Sequence, residues 1–407
     1  MFGLGKLRRK SADMVTLTLD QLAEVAPFVR YTSRSNVAVT PVTAMQISAV
    51  ACAVRVISEG IAQMPVRIVR DRFEDGRRSY EVVRNHWAHR VMAVSPNEFQ
   101  TPFQFREYAI LSALLGNGFL GIKNVVNGEV REILPLPIGT WSIERVANSW
   151  RHYFRVSYAN GTSGTFEPSQ VMYLRGPSLD GWQALPALSA AREAIGLAAA
   201  MEQQQARLAG NGGKPSGVLS FEQELSPERR EALRDLWQQR FGPGGDGGIA
   251  ILDAAAKFDS MVMTSVDAQH LETRQFQIEE IARAFRVHPI MLMHANSTTT
   301  FASAEQHFRN HVVHTLGPWM RRFEDVCHRD VLSLDRDLRV DLDERALLRG
   351  DFKDQAEYFT RALGAGGQPG WMSPNEVREE VGMNPVDEPW ANAVPRGAMN
   401  PEGQIDE

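Results

Sequence analysis

Three histidines, His307, His311 and His314, stand at i, i+4 and i+7 of a helical pattern. Neutral imidazoles at that spacing share one helical face and could bind a divalent metal. No acid completes an HExxH pattern and no cysteine stands among them, so a solvated or subunit-facing helix face is expected there, and no metal. Ser178 in "GPSLDG" is a near miss of the esterase elbow, which needs glycine two residues after the serine, where Asp180 stands. A phosphate cradle fares no better. In "LAGNGGKPS", Gly213-Lys214 should be followed by Ser or Thr and preceded by glycine five residues before Gly213; Pro215 and Leu208 occupy those places. "IAILDA" has Ala254 where a Walker-B strand would carry a second acid, so Asp253 reads as the turn of an edge strand. Arg321, Arg322 and Arg329 read as a charged helix face or as pairs between subunits. No catalytic residue and no cofactor is expected. One stretch resists all these readings: Asn296, Ser297, Thr298, Thr299 and Thr300, followed by Phe301, lie between two helical segments. They are short, polar and uncharged, and glycine is absent, so the segment offers hydrogen bonds without charge.

The elements that position these residues follow from periodicity. Residues 41–63 form an apolar three-four pattern through Ile47, Val50, Val54, Ile57 and Ile61, with Gly60 and Pro65 near its end. "PVRIVRD" alternates like a strand. A helix is expected from Thr101 to Leu115, with Phe103, Tyr108, Leu111 and Leu115 on one side. Hairpins turn at Asn127-Gly128 and Asn160-Gly161. Ala-rich 187–208 and 265–286 read as helices that flank a small βαβ-like module, 211–264. The ends of such an insert must be close, so the two helices are expected side by side. A long helix from Ser303 to Leu332 keeps a 3.6 period through Phe308, Val312, Leu316, Trp319, Phe323 and Val326. It would be about 45 Å long, and Gly317-Pro318 predicts a kink at its middle. The C-terminal part is helical again, with a capping box at Ser373-Pro374-Asn375-Glu376.

The 407 residues predict several structural units, and 43% apolar with 23% charged residues is the composition of an ordinary folded protein. A net charge of −5 makes the chain as a whole no adhesive for nucleic acid, and no basic patch carries interleaved aromatics. No apolar run reaches the roughly 18 residues of a membrane span, so no membrane partner is expected. "MFGLGKLRRKSADM" lacks the apolar core of a secretory signal and reads as a mobile arm. Cys52 and Cys327 read as buried free thiols of a reducing compartment.

The order of these segments resembles the phage portal proteins of the HK97 type. The resemblance is carried by "AVACAVRVISEGIAQMPVRI" (49–68), "SPNEFQTPFQFREYAILSALLGNGFLGI" (95–122), "LSAAREAIGLAAAMEQQQARLAGNGGKPSGVL" (188–219), "QFQIEEIARAFRVHPIMLM" (275–293), "FRNHVVHTLGPWMRRFEDV" (308–326) and the segment 347–386. It implies an elongated α+β portal fold: an arm (1–40), a wing (41–186), two stem helices (187–210 and 265–290) around an α/β clip (211–264), a tunnel loop (291–303), a long kinked helix (304–333), a wing return strand (334–350) and a helical crown (351–407). It further implies a ring of about twelve copies at one capsid vertex of a phage or gene-transfer particle, assembled in the bacterial cytoplasm. Its partners would be the major capsid protein, the terminase large subunit, the head-tail adaptor, and double-stranded DNA passing through without sequence specificity. Residues 296–301 would line the channel, where a lysine or arginine ring would capture phosphates and hydroxyls would not. In the clip, Arg229, Arg230, Arg234, Trp237 and Arg240 would meet the motor and adaptor. Phe308, Val312, Trp319 and Phe323 would make subunit contacts. The competing class is a packaging ATPase, nuclease or maturation protease, which the failed motifs disfavour.

Overall fold

The computed structural model describes residues 30–395 apart from 75–76, 159, 211–217, 222–225, 229–230, 233–234, 236–255, 260–265, 295–300, 336, 348–351, 365–367 and 382. The chain divides into two compact units, Met1–Leu342 and Asp343–Glu407. The first opens with β1 (Tyr31–Thr32), β2 (Ala38–Val39), α1 (Pro41–Met45), α2 (Ser48–Ala62), β3 (Val66–Glu74) and β4 (Arg77–Val82). Then come α3 (Pro102–Leu115), β5 (Phe119–Val126), β6 (Glu129–Pro135), β7 (Trp141–Arg145), β8 (His152–Ser157), β9 (Ser163–Phe166) and β10 (Val171–Leu174). The helices α4 (Ala187–Gly210) and α5 (Val266–Phe285) enclose β11 (Val218–Phe221) and β12 (Ala256–Asp259). After α6 (Phe301–Asn310) and α7 (Gly317–Val326), β13 (Leu338–Leu342) ends the unit. In the second unit α8 (Phe352–Ala362) precedes α9 (Pro374–Val381), whose start is held by the Ser373 and Glu376 capping box.

The core forms where α2 and α3 cross. Helix α2 buries Val50, Ala53, Val54, Ile57 and Ile61, the face its spacing predicts. Gly60 lies inside this helix rather than at its end: a Cβ there would stand 3.0 Å from the Leu316 side chain. In α3 the buried positions are Phe105, Arg106, Ala109, Ile110 and Ser112 to Leu115, while Phe103 is exposed. Arg106 is the exception among them. Its guanidinium reaches the carbonyls of Ala62 (2.5 Å), Met64 (3.4 Å) and Met92 (3.3 Å). Ala62 is the last residue of α2, whose terminal carbonyls have no partner within the helix. Burial lowers the Arg106 pKa to about 10, so the side chain remains a cation at neutral pH.

Three antiparallel sheets surround this core, ordered β13-β3-β4, β10-β5-β6 and β7-β8-β9. The β5–β6 turn places Asn127 at φ +55 and Gly128 at φ +83, the left-handed pair a tight hairpin requires. The aromatic side chains of Trp141, Phe154 and Tyr173 pack edge to face and join the last two sheets in one cluster with Leu120, Val156 and Val171. Strand β13 comes from the far end of the unit and pairs with β3 from Leu338↔Arg70 to Leu342↔Val66. Arg67–Asp341 (2.7 Å), Arg70–Asp337 (2.8 Å) and Arg339–Asp71 (3.4 Å) tie the two strands across their faces. Helices α4 and α5 lie against each other, with Arg274 bonded to Gln205 at 3.0 Å.

The long helix starts at Phe301, within the segment that sequence assigns to a loop ending at 303. It changes register twice, through π turns at His311–Leu316 and Cys327–Val331. The first meets Pro318: the Gly317 N–H reaches back to the Val312 carbonyl, and the widened turn makes room for a residue with no N–H. His311 sits at the start of this turn, 5% exposed, and its Nδ1 has no hydrogen-bond partner.

Replacing Arg106 with methionine keeps most of the volume but orphans the carbonyls of Ala62 and Met92. The variant should lose about 2–4 kcal/mol in urea unfolding, and lysine should rescue only part of it, because it lacks the fork. For His311, burial lowers the pKa to about 4. The unfolded chain binds that proton near 6.5, so the native state binds fewer protons between those values. Stability is then full above about pH 6.5 and falls as pH drops toward 4, by about 2 kcal/mol at pH 4.5. His311→Leu should remove that part of the pH dependence when urea midpoints at pH 7 and pH 4.5 are compared.

Candidate channel loop and interaction faces

The polar run Asn296, Ser297, Thr298, Thr299 and Thr300 lies outside the described residues, but both of its arms are described. On the entering side, α5 ends at Phe285 and Arg286 takes the left-handed conformation at φ +57. The Val287 N–H reaches back to the Ala282 carbonyl. His288 then caps a 3-10 turn, Pro289–Leu292, its Nδ1 accepting from the Ile290 N–H. Met293, at φ +57 and 90% exposed, turns the chain toward the loop. On the leaving side, Phe301 is the first residue of α6, so of the six expected loop residues it belongs to the helix.

The two arms meet through imidazoles. The rings of His288 and His307 stand 4.2 Å apart at 34°. Burial and the neighbouring His307 both lower the His288 pKa, so His288 is neutral at pH 7, as its acceptor role at the cap requires. The Nδ1 of His307 is buried without a partner. The two flanking segments are thus joined by a contact between His288 and His307.

The three histidines do not share a face. His307 is half-buried, His311 is buried and His314 is exposed, because the π turn at 311–316 breaks the 3.6 register. Among the described residues no group of three His, Cys, Asp or Glu side chains gathers to hold a metal. Ser178 also finds a structural role. Its hydroxyl bonds Asp180 at 3.0 Å, and Asp180 accepts from the Trp182 and Gln183 N–H groups at 2.8 Å each, which lower its pKa. The result is a fixed turn.

The expected subunit contacts need correction. Val312 and Phe323 are fully buried and Trp319 is 8% exposed within a single chain. The long helix packs on β10 and β13, and Trp319 lies against Gly176, where a Cβ would be 3.4 Å from the indole. An amphipathic stripe does not reveal whose core covers it. Of the four, Phe308 is the one left exposed, at 43%. The clip residues Arg229, Arg230, Arg234, Trp237 and Arg240 lie outside the described residues.

The helix arginines sort themselves. Arg321 pairs with Glu324 at 3.2 Å. Arg329 grips Asp330 with two bonds of 2.6 and 2.7 Å, and Asp330 in turn accepts the Tyr173 N–H at 3.0 Å. The Lys123 ammonium reaches the Asp330 carbonyl, so helix and sheet are joined at this point. Arg322 instead lies over the Trp319 ring at 5.0 Å. Sequence reading took Arg322 as part of a charged face with Arg321 and Arg329 and did not foresee its place over Trp319.

Known proteins resemble this arrangement along most of its length. A family model described as phage portal protein matches residues 48–382. The probable portal protein of Streptomyces phage phiC31 is 30% identical over 368 residues, spanning 86% of this chain and 78% of its own. The portal protein of Enterobacteria phage HK97 is 27% identical over 353 residues, 84% and 80% of the two chains. Among solved structures, a chain from the neck of a native gene transfer agent particle, computed with C12 symmetry, aligns with a TM-score of 0.58 at 19% identity, covering 90% of this chain and 98% of that one. An HK97 family phage portal protein from Corynebacterium diphtheriae aligns at 0.56 and 21% identity, over 77% and 99%. With its sequence matched from the second helix into the C-terminal unit, this chain belongs to the phage portal protein family.

Proposed function

We propose that about twelve copies of this chain form a ring at one vertex of a phage or gene-transfer capsid, and that DNA enters and leaves through its centre. The observation that carries this reading is the near-complete alignment with the chain of a C12 neck, 98% of which is covered. The family is structural, and no observation favours the packaging ATPase, nuclease or protease reading. The ring would sit in the particle neck, bound to the major capsid protein, after assembly in the bacterial cytoplasm. The clip, 211–264, with Arg229, Arg230, Arg234, Trp237 and Arg240, would dock first the terminase large subunit and then the head-tail adaptor. Phe308, exposed on α6, is the proposed apolar contact of the long helix with the next copy.

The loop supports the channel part of this reading. Asn296 to Thr300 are uncharged, and a closed anchor of His288 against His307 holds both arms. A ring of such loops would exchange hydrogen bonds with water and phosphate at little net cost, whereas cations would retain phosphate through counterion release.

Native mass spectrometry should find an assembly of about 540 kDa for twelve chains of 45.4 kDa, with no ATP turnover. A monomer that hydrolyses ATP would overturn the reading. Changing Thr298, Thr299 and Thr300 together to lysine should shorten the DNA packaged per head at low salt, with recovery as salt rises. The triple alanine variant should package near-normal lengths. Equal packaging by both variants at low salt would mean that the loop does not face DNA.

A further inference from the structure

Two histidines cap short helical turns in this chain, and their surroundings differ. His86 accepts the Ala88 N–H with its Nδ1 at 3.2 Å, and its Nε2 stands 3.4 Å from Asp335. A proton taken up there meets a carboxylate. His288 accepts the Ile290 N–H with its Nδ1, so the neutral ring carries its proton on Nε2. Its neighbour is the His307 ring, 4.2 Å away at 34°. His288 is open to solvent, whereas His307 is half-buried and its Nδ1 is enclosed without a hydrogen-bond partner. The elements around this contact bring no acid to it. On α2, Cys52 places its thiol 3.6 Å from the Met291 carbonyl, and Glu59 is taken by Arg55 at 2.8 Å. On α5, Glu280 pairs with Arg283. Arg286 and Arg309 lie two residues from His288 and His307 in the chain, and the next histidine, His311, is buried with its own Nδ1 unpartnered. Among the described residues no carboxylate, Glu279 included, forms an ion pair with either imidazole.

A proton on the His288 Nδ1 would turn the acceptor of the cap into a second donor facing the Ile290 N–H. The new charge would also lie against the His307 ring with no anion to receive it. Both effects act in one direction. Partial loss of water around the ring and the nearby His307 lower the His288 pKa in keeping with them. We propose that the His288–His307 contact is an acid-labile joint, which holds the turn Pro289–Leu292 against α6 while both rings are neutral and releases it when the pair takes up a proton. The released state binds that proton near the ordinary histidine value of about 6.5, and the joined state only at lower pH. The joint is therefore fully formed above about pH 7 and weakens as pH falls. It lies within one chain, so it does not rest on the ring reading above.

Hydrogen–deuterium exchange of the full chain tests this, read by mass spectrometry at pH 7.5 and pH 5.5 and corrected for intrinsic exchange with an unstructured peptide. The reporters are the amides of Ile290, Met291, Met293 and His294, which bond the His288 Nδ1 and the carbonyls of His288, Ile290 and Pro289. Their protection should fall severalfold at pH 5.5, with about tenfold as the ceiling that one histidine of ordinary pKa sets there. The amides of Ala88 and His89, in the turn capped by His86, should keep theirs. The double substitution His288→Asn with His307→Phe retains an acceptor for the Ile290 N–H and a ring on α6, and neither new side chain titrates. In it, protection of the reporters should be the same at both pH values. Equal protection at the two pH values in the wild type would overturn the proposal. So would an undiminished loss in the double variant, which would place the proton elsewhere. Should that variant fail to fold, the wild type decides: loss confined to the His288 turn supports the joint, and equal loss in the His86 turn overturns it.

Discussion

A single buried cation organises the first unit. Among the described residues Arg106 has no carboxylate partner; its charge is balanced by carbonyl dipoles at the end of α2, at the residue that leads toward β3, and in the π turn Arg90–Val94. A helix must end before a strand can begin, and its last carbonyls would otherwise be orphaned in the core. By taking them, the guanidinium fixes where α2 stops and hence where β3 starts. β3 in turn receives β13 on one edge and β4 on the other. The long helix that precedes β13 is positioned by the same helix α2, because Leu316 fits the space that Gly60 leaves open.

The long helix shows how one residue's chemistry spreads. Pro318 cannot donate, so the turn before it widens, and Gly317 bonds five residues back instead of four. That change of register moves every side chain after it relative to those before. It separates His314 from His311 and brings Thr315, Trp319 and Arg322 to the side of Arg286 and Gly176. The second π turn, at Cys327–Val331, sets Arg329 and Asp330 against Tyr173 on β10. Register changes in this helix thus decide which side chains face the sheets and which face outward.

Much of this was legible in residues with local rules. Thr101 with Gln104, and Ser373 with Glu376, cap their helices as their spacing demands, and Asn127-Gly128 turns its hairpin. The three-four pattern of α2 named its buried face. What was hidden depends on partners distant in sequence. Arg106 within an apolar helix looks like a solvent position until the carbonyls of Ala62 and Met92 come to it. Phe103 and Phe105 are equally apolar, and only packing decides that Phe105 is inside. Val312, Trp319 and Phe323 have the pattern of an interface and the burial of a core, because one periodicity serves both. The expectation of a channel loop stands on composition and resemblance, and the meeting of His288 with His307 could not be read, since lone histidines carry no pairing signal.

The pairing of β13 with β3 brings together residues 274 positions apart, as in the bond between Arg67 and Asp341. During synthesis β3 therefore emerges long before the strand that covers its edge. Until Leu342 has left the ribosome, that edge of Val66 to Arg70 offers unpaired backbone groups to any other strand in the cell, including the same strand of a neighbouring nascent chain. Arg67 and Arg70 put one cation on each face of this strand, and either repels the same residue of a second copy. Asp341 and Asp337, at the end of the unit, pair with these two arginines. The charge pattern is thus a guard as well as a tie, opposing wrong pairing at this edge until β13 arrives.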